Sequence, residues 1–249
     1  MWVTGQHPVE ELLLSRLQRP EKVLLADSAT GKGRERITAL AEAGGVPILA
    51  CTREEWHRRT GEKEGGGIAA EIPEFRYSEL PEWIASLPGR CAAFLLDGIT
   101  DPHNLGTVLR NARAFGFSGV VIPRDRSCPV TPAVFRASAG AAAHVPVVQV
   151  TNLSRAIEHL QEADFWVFAA AEDGETDVSN FVPPARAAFV MGSEDKGIRR
   201  LVREKCDGSV RIPMEEGTDS VNVGVASGIV AFCVRIQGKS GTERSYEKH

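Results

Sequence analysis

The stretch LDGITDPHNLGTVLRNARAFGFSGVVIP, residues 96–123, decides the fold of the larger part of this chain. It begins as the end of an apolar strand, passes through the polar turn Asp-Pro-His-Asn, and becomes a helix that leads into a second apolar strand. The sequence therefore predicts a β-α-β unit within a parallel sheet. The turn lacks the Gly-x-Gly-x-x-Gly fingerprint of dinucleotide sites, so a nucleotide-dependent oxidoreductase is disfavoured.

The helix of this unit is predicted over residues 105–115, with Asn104 as its N-cap. Apolar residues recur at helical spacing and form one face, made of Leu105, Val108, Leu109, Ala112 and Phe115. At about 100° per residue, Arg110 falls almost opposite the centre of this face and is expected to point away from the sheet. A simple capping Asn and an ordinary surface Arg remain the alternative, and Arg113 has no predicted role.

Strands and helices alternate along the whole chain, which indicates an α/β protein. In the first half we predict helices over residues 7–17, 34–43 and 53–59, and strands over residues 22–26, 46–50 and 68–71. After a short helix over residues 79–86, we predict strands over residues 92–97, 119–123, 145–150, 165–170, 187–192 and 209–214. The intervening helices are predicted over residues 105–115, 133–143, 153–162, 198–205 and 221–236. We divide the chain into an N-terminal domain (1–75), a linker (76–90) and a C-terminal parallel-sheet domain (91–249).

The composition limits the classes of protein to consider. The 249 residues are 43% hydrophobic and 25% charged, which is enough to bury a core. No apolar run reaches the roughly 18 residues of a membrane span, and the start of the chain does not resemble a signal peptide. The five cysteines are scattered without a Cys-x-x-Cys pair, which favours reduced thiols in the cytoplasm and predicts no metal site.

The net charge of −4 lowers the expectation of nucleic-acid binding, but the basic residues are clustered. One cluster holds Arg53, Arg58 and Arg59, and the other holds Arg199, Arg200, Arg203 and Lys205. From charge alone, solvated helix faces are the favoured interpretation.

Two further strand ends carry unusual chemistry. In FVMGSEDKGIRRLVREKCDGSVRIPM, residues 189–214, a strand ends at Gly192 and is followed by Ser193 and Glu194. In GTDSVNVGVASGIVAF, residues 217–232, Ser220 and Asn222 precede a helix rich in small residues. Ligands of parallel sheets lie outside the carboxyl ends of the strands, although a turn and a serine N-cap explain each segment equally well.

Together these three segments resemble the three motifs of the SpoU/TrmH family of RNA ribose 2′-O-methyltransferases, in the SPOUT superfamily. DPHNLGTVLRNARAFG resembles motif 1, VMGSEDKG motif 2, and IPM with DSVNVGVASGI motif 3. GQHPVEELL and GGGIAA are similar to the small ribosomal-protein-like RNA-binding domain of longer members. Among members, the chain is most similar to those that methylate a guanosine of large-subunit (23S) ribosomal RNA.

The resemblance implies a C-terminal chain threaded into a trefoil knot, S-adenosylmethionine as cofactor, and a homodimer with its active site beside the subunit interface. Adenosyl-binding residues implied by it are Met191, Gly192, Ile212 and Val221. The implied catalytic residues are Arg110, Asn104, Glu194, Ser220 and Asn222. RNA binding would then use Arg53, Arg58 and Arg59.

The resemblance gives Arg110 the role of general base, but a guanidinium stays protonated in proteins. The sequence is equally compatible with a role in which Arg110 binds the adjacent phosphate and stabilises the 2′-oxyanion. Many members have Ser where this chain has Gly224, so a hydroxyl is missing from motif 3. The remaining alternatives are a transfer RNA substrate and a non-catalytic RNA-binding or ribosome-assembly protein.

Overall fold

The computed structural model describes residues 1–62, 66–215 and 220–240, and they form two compact units. The first comprises Met1–Arg76 and Val130–His144, and the second comprises Tyr77–Pro129 and the described residues from Val145 onward. The segment Val130–His144 thus lies in the first unit, although the sequence division places it in the C-terminal domain. None of the described helices is long and apolar enough to cross a membrane.

The first unit is built on a four-stranded sheet with the order β1-β4-β2-β3. Its strands are β1 (Trp2–Thr4), β2 (Lys22–Ala26), β3 (Ile48–Cys51) and β4 (Ile68–Glu71). Its helices in the N-terminal segment are α1 (Gln6–Leu14), α2 (Gly31–Gly44) and α3 (Arg53–Thr60). β4 pairs antiparallel with both β1 and β2, whereas β2 and β3 are parallel. β1 was not predicted from the sequence because it is only three residues long.

The second unit begins with α4 (Leu80–Ser86) and contains a seven-stranded sheet with the order β7-β6-β5-β10-β8-β11-β9. Its strands are β5 (Cys91–Asp97), β6 (Val120–Pro123), β7 (Val147–Val150), β8 (Trp166–Ala170), β9 (Thr176–Asp177), β10 (Arg186–Gly192) and β11 (Gly208–Arg211). The helices that follow α4 in this unit are α5 (Pro102–Phe115), α7 (Leu153–Glu162), α8 (Arg200–Arg203) and α9 (Val223–Ser240). All six strand pairings are parallel, which confirms the predicted α/β fold class.

The prediction of one long Ala-rich helix over residues 133–143 is wrong. The structure has α6 (Pro132–Ala137), a break, and a short 3₁₀ helix (Ala141–Ala143). Ala139 and Gly140 at the break have φ angles of 50° and 85°, which a right-handed helix cannot accommodate. A side chain at position 140 would lie 2.6 Å from Cβ of Glu11, so close packing against α1 requires glycine there.

Candidate active site

Four neighbouring parallel strands of the second unit end at one edge of the sheet. β5, β10, β8 and β11 are consecutive in the sheet, and their carboxyl ends lie at Asp97, Gly192, Ala170 and Arg211. The segments that follow three of them carry the predicted motif residues. Parallel pairing therefore brings distant parts of the sequence to one place, as the sequence analysis expected.

The turn after β5 differs from the prediction in one respect. Asn104 is not the N-cap of α5, because the helix begins three residues before the predicted start, at Pro102. Asp101 caps it instead, and its Oδ2 accepts a hydrogen bond from the backbone N–H of Asn104 at 3.1 Å. Proline is favoured at the first helical position, since its missing N–H needs no partner there. The side chain of Asn104 is consequently free for other contacts.

Asn104, Glu194 and Asn222 form a hydrogen-bonded cluster. Nδ2 of Asn104 donates to Oε1 of Glu194 at 3.2 Å, and Nδ2 of Asn222 donates to Oδ1 of Asn104 at 2.9 Å. Nδ2 of Asn222 also donates to Oε1 of Glu194. These three of the five predicted catalytic residues come from three different motifs, so their hydrogen bonds connect the motifs.

The loop that carries Glu194 is held in a tight fold. The backbone N–H of Gly197 donates to the carbonyl oxygen of Ser193 at 2.8 Å, and Gly197 has a φ of 61°. A Cβ on Gly192 would lie 2.3 Å from the carbonyl carbon of Gly197, so only glycine permits this return of the chain. The loop is thus shaped by Gly192, which was singled out from the sequence, and by Gly197.

The end of this loop is attached to β5 through a buried carboxylate. Asp97 is 1% exposed, and its oxygens accept from the backbone N–H of Arg199 at 2.8 Å and from its Nε at 2.7 Å. Sequence reasoning missed this pair because Asp97 ends an otherwise apolar strand and Arg199 lies 102 residues later. A lone acidic residue at the end of a buried strand is the signal that could have indicated it.

A cavity of about 430 Å³ opens beside the loop. All four predicted cofactor-binding residues line it, namely Met191, Gly192, Ile212 and Val221. Ser193, Glu194 and Ser220 also line it, so Ser220 lies with the other motif residues. Sequence reasoning missed the end of β8, where residues 170–173 contribute two carboxylates, although that segment is a polar strand end like the others.

Arg110 is exposed on α5, as the helical spacing predicted. It has no hydrogen-bonding or ion-pairing partner in the part of the chain that the structure describes. In particular, the cluster around Glu194 does not hold it. The guanidinium is therefore available to a ligand that carries negative charge.

The two arginine clusters differ in how their charges are paired. In the second cluster every member contacts an acid: Arg199 with Asp97, Arg200 with Glu204, Arg203 with Asp173, and Lys205 with Glu158.

In the first cluster, on α3, Arg59 pairs with Glu55 at 2.5 Å and Nε of Arg53 donates to His57 at 3.4 Å. Arg58 is exposed and has no such partner among the described residues.

Burial raises the pKa of each cysteine thiol in the chain. It is the largest cause for Cys51, Cys91, Cys128, Cys206 and Cys233, and it raises the pKa of Cys206 to about 12. All five are free thiols. A thiol whose pKa is raised holds its proton at neutral pH and is a poor nucleophile. The chemistry of this site therefore depends on other groups.

Comparison with known proteins agrees with this geometry. Residues 92–232 match the SpoU rRNA Methylase family, and residues 2–78 match the family of RNA 2′-O ribose methyltransferase substrate binding domains. The 23S rRNA (guanosine-2′-O-)-methyltransferase RlmB of Shewanella oneidensis is 38% identical over 92% of this chain and 94% of its own. The same enzyme of Pseudomonas syringae is 37% identical over 92% and 93% of the two chains.

Among solved structures, the SpoU methyltransferase AviRb of Streptomyces viridochromogenes in complex with AdoMet superposes with a TM-score of 0.82. It is 21% identical and the match covers 97% of this chain and 91% of that one, which shows a shared fold.

Proposed function

This chain belongs to the SpoU rRNA methylase family, and on that basis we propose that it methylates the 2′-oxygen of a guanosine ribose in 23S ribosomal RNA. One observation carries the proposal. Asn104, Glu194 and Asn222 are joined by hydrogen bonds at the mouth of a cavity that Glu194 itself lines. This arrangement places polar, fixed groups beside a binding site of ligand size.

The cavity fits S-adenosylmethionine, whose chemical contribution is a methyl group already activated on a sulfonium. Its volume of about 430 Å³ lies within the usual range for small-molecule sites. Met191, Ile212 and Val221 supply apolar contacts for an adenine, and the cofactor can approach the backbone closely at Gly192. Glu172 lines the cavity and is exposed, which suits a ribose hydroxyl or an ammonium group.

In the proposed mechanism the protein positions the reactants and manages one proton. The guanidinium of Arg110 binds the phosphate next to the target ribose and stabilises the developing 2′-oxyanion. Glu194 holds the amides of Asn104 and Asn222 in place, and Ser220 adds a hydroxyl at the edge of the cavity. The 2′-hydroxyl proton leaves to phosphate or water, because a guanidinium group does not act as a base at neutral pH.

The test uses Arg110→Ala, with Arg113→Ala on the same helix as the matched control. We expect Arg110→Ala to bind S-adenosylmethionine normally by calorimetry and to lose methylation about 100-fold or more. Arg113→Ala is expected to keep both properties. Near-normal turnover of Arg110→Ala would refute the assigned role.

Ribosomal RNA is favoured over transfer RNA because relatives at 37–38% identity that act on 23S rRNA match both units. We propose that the first unit contacts the RNA through Arg53, Arg58 and Arg59 on α3, where Arg58 has no ion-pairing partner among the described residues. A non-catalytic RNA-binding role is disfavoured by the intact cluster of Asn104, Glu194 and Asn222. Absence of S-adenosylmethionine binding in calorimetry would revive it.

We also propose a homodimer that uses α9. Val225, Phe232 and Ile236 are 53%, 51% and 44% exposed, and their spacing places them on one face of the helix. Covering such an apolar stripe with a second copy would remove it from water. Phe232→Glu is expected to yield a monomer in light scattering, whereas an unchanged mass would contradict this interface.

The trefoil knot and a cytoplasmic location complete the proposal. Family membership supports the knot. An experimental density map traced from β10 to α9 tests it. The free cysteines support a reducing compartment, which fractionation of cells tests.

A further inference from the structure

A second cavity, of about 530 Å³, lies beside the candidate active site and has no role so far. Its walls come from the turn between β5 and α5, from the segment after β6, and from the loop after β10. The residues after β6 that line it are Pro123, Asp125 and Arg126. All its walls belong to the second unit.

The two cavities share one wall. Residues 193–197 line both of them, and Asn104 lines the second cavity. Methyl transfer requires donor and acceptor atoms about 3–3.5 Å apart, so the two substrates must occupy adjoining sites. The cavity across the Glu194 loop from the cofactor site therefore meets the geometric requirement for the acceptor nucleotide.

This shared wall is held by hydrogen bonds within the protein itself. Glu194 is held by Asn104 and Asn222, and the end of the loop is held by Asp97 through Arg199. A preorganised wall between two substrates keeps their relative position, which is what an in-line transfer needs.

The charged groups that line the cavity suit a nucleobase better than a phosphate group. Five carboxylates line the cavity, from Asp97, Asp101, Asp125, Glu194 and Asp195, against the three cations Arg126, Lys196 and Arg199. Such an excess of carboxylates repels a phosphate. Carboxylates instead accept hydrogen bonds from the N–H groups of bases, and Arg or Lys donates to O6 and N7 of guanine.

Asp125 and Arg126 form the adjacent charged pair of this lining that lies outside the loop shared with the cofactor cavity. Asp125 is exposed and, like Arg126, has no hydrogen-bonding or ion-pairing partner within residues 1–62, 66–215 and 220–240. Arg126 also has a φ of 57°, an uncommon conformation for a residue with a side chain. Adjacent, unpaired groups of opposite charge match the N1–H and N2–H₂ donors and the O6 acceptor of guanine.

We propose that this second cavity binds the guanine base of the target nucleotide, with Asp125 as the residue that determines specificity for it. The carboxylate of Asp125 accepts from N1–H and N2–H₂, and the guanidinium of Arg126 donates to O6. The proposal rests on the proposed function, since it assumes a guanosine acceptor.

The experiment compares two RNA fragments that differ at the target position. One carries guanosine and the other inosine, which lacks the N2 amino group. Wild-type protein is expected to methylate the inosine fragment roughly tenfold less efficiently in kcat/KM, because one donor to Asp125 is lost. Asp125→Ala is expected to methylate both fragments at the same reduced efficiency.

The matched control is Asp164→Asn, an exposed residue that lines neither cavity and should keep the preference for guanosine. Calorimetry with S-adenosylmethionine verifies that each variant is folded. A wild-type preference that survives in Asp125→Ala would overturn the assignment, as would equal use of both fragments by the wild type. If the wild type methylates neither fragment, the proposed function itself has failed.

Discussion

Gly224 replaces the serine common in motif 3, and the structure indicates a steric reason. A Cβ at position 224 would lie 2.7 Å from Cγ2 of Thr107 and 3.0 Å from its Cβ, where α9 packs on α5. Normal contacts between carbon atoms are about 3.5–4.0 Å, so a methyl group does not fit unless Thr107 or the helix backbones shift. Gly224 and Thr107 are therefore expected to be energetically coupled.

We predict that Gly224→Ala lowers the free energy of unfolding by about 1–3 kcal/mol, the usual cost of overpacking. For a chain of this size the loss corresponds to a decrease in Tm of roughly 2–12 °C. Thr107→Ala removes the closest atom, Cγ2, so the double variant should recover about 1 kcal/mol relative to the sum of the single changes. Urea unfolding at a fixed protein concentration measures the free energy of unfolding of the wild type, the two single variants and the double variant.

Gly89→Ala is the matched control, because a Cβ at that position would meet no atom within 4 Å. It is expected to be neutral or slightly stabilising. The reasoning is refuted if Gly224→Ala is as stable as the wild type, or if its effect simply adds to that of Thr107→Ala.

Three further predictions concern other parts of the chain. Burial raises the pKa of Cys206 to about 12, so the thiol loses its proton more readily in the unfolded state than in the folded state. The free energy of unfolding should therefore fall as the pH rises from roughly 8.5 towards 12. Between pH 8 and pH 10, urea titrations should show a smaller decrease in this free energy for Cys206→Ala than for the wild type. Arg58→Ala should weaken ribosomal RNA binding several-fold and reduce the slope of log affinity against log salt concentration by about one. Arg90→Ala is the control and should change neither quantity, and filter binding at a series of salt concentrations measures both. Asp97→Ala leaves N–H donors of Arg199 without their acceptor and should lower the free energy of unfolding by about 1–3 kcal/mol in the same urea assay.

Much of the fold was predictable because its signals are local. The strands Lys22–Ala26 and Ile68–Glu71 and the helix Leu153–Glu162 have the bounds that the apolar spacing predicted. The exposure of Arg110 also followed from helical spacing alone. Where a regular pattern meets a clear start or stop signal, the sequence is sufficient.

The errors arose where tertiary contacts override a local preference. Asn104 is a good capping residue, but Asp101 and Pro102 start the helix earlier, which leaves the side chain of Asn104 for Glu194. The bond between Asn104 and Asn222 joins residues 118 apart in sequence, and spacing gives no sign of it. The motif resemblance identified these residues, and the structure supplies the contacts between them.

The most direct test of the account is mass spectrometry of nucleosides from 23S ribosomal RNA that lacks its native methylation, incubated with the protein and S-adenosylmethionine. The account predicts a stoichiometric gain of 2′-O-methylguanosine with wild-type protein and a rate at least about 100-fold lower with Arg110→Ala. If the wild-type protein binds the cofactor but yields no 2′-O-methylguanosine, the proposed reaction is contradicted.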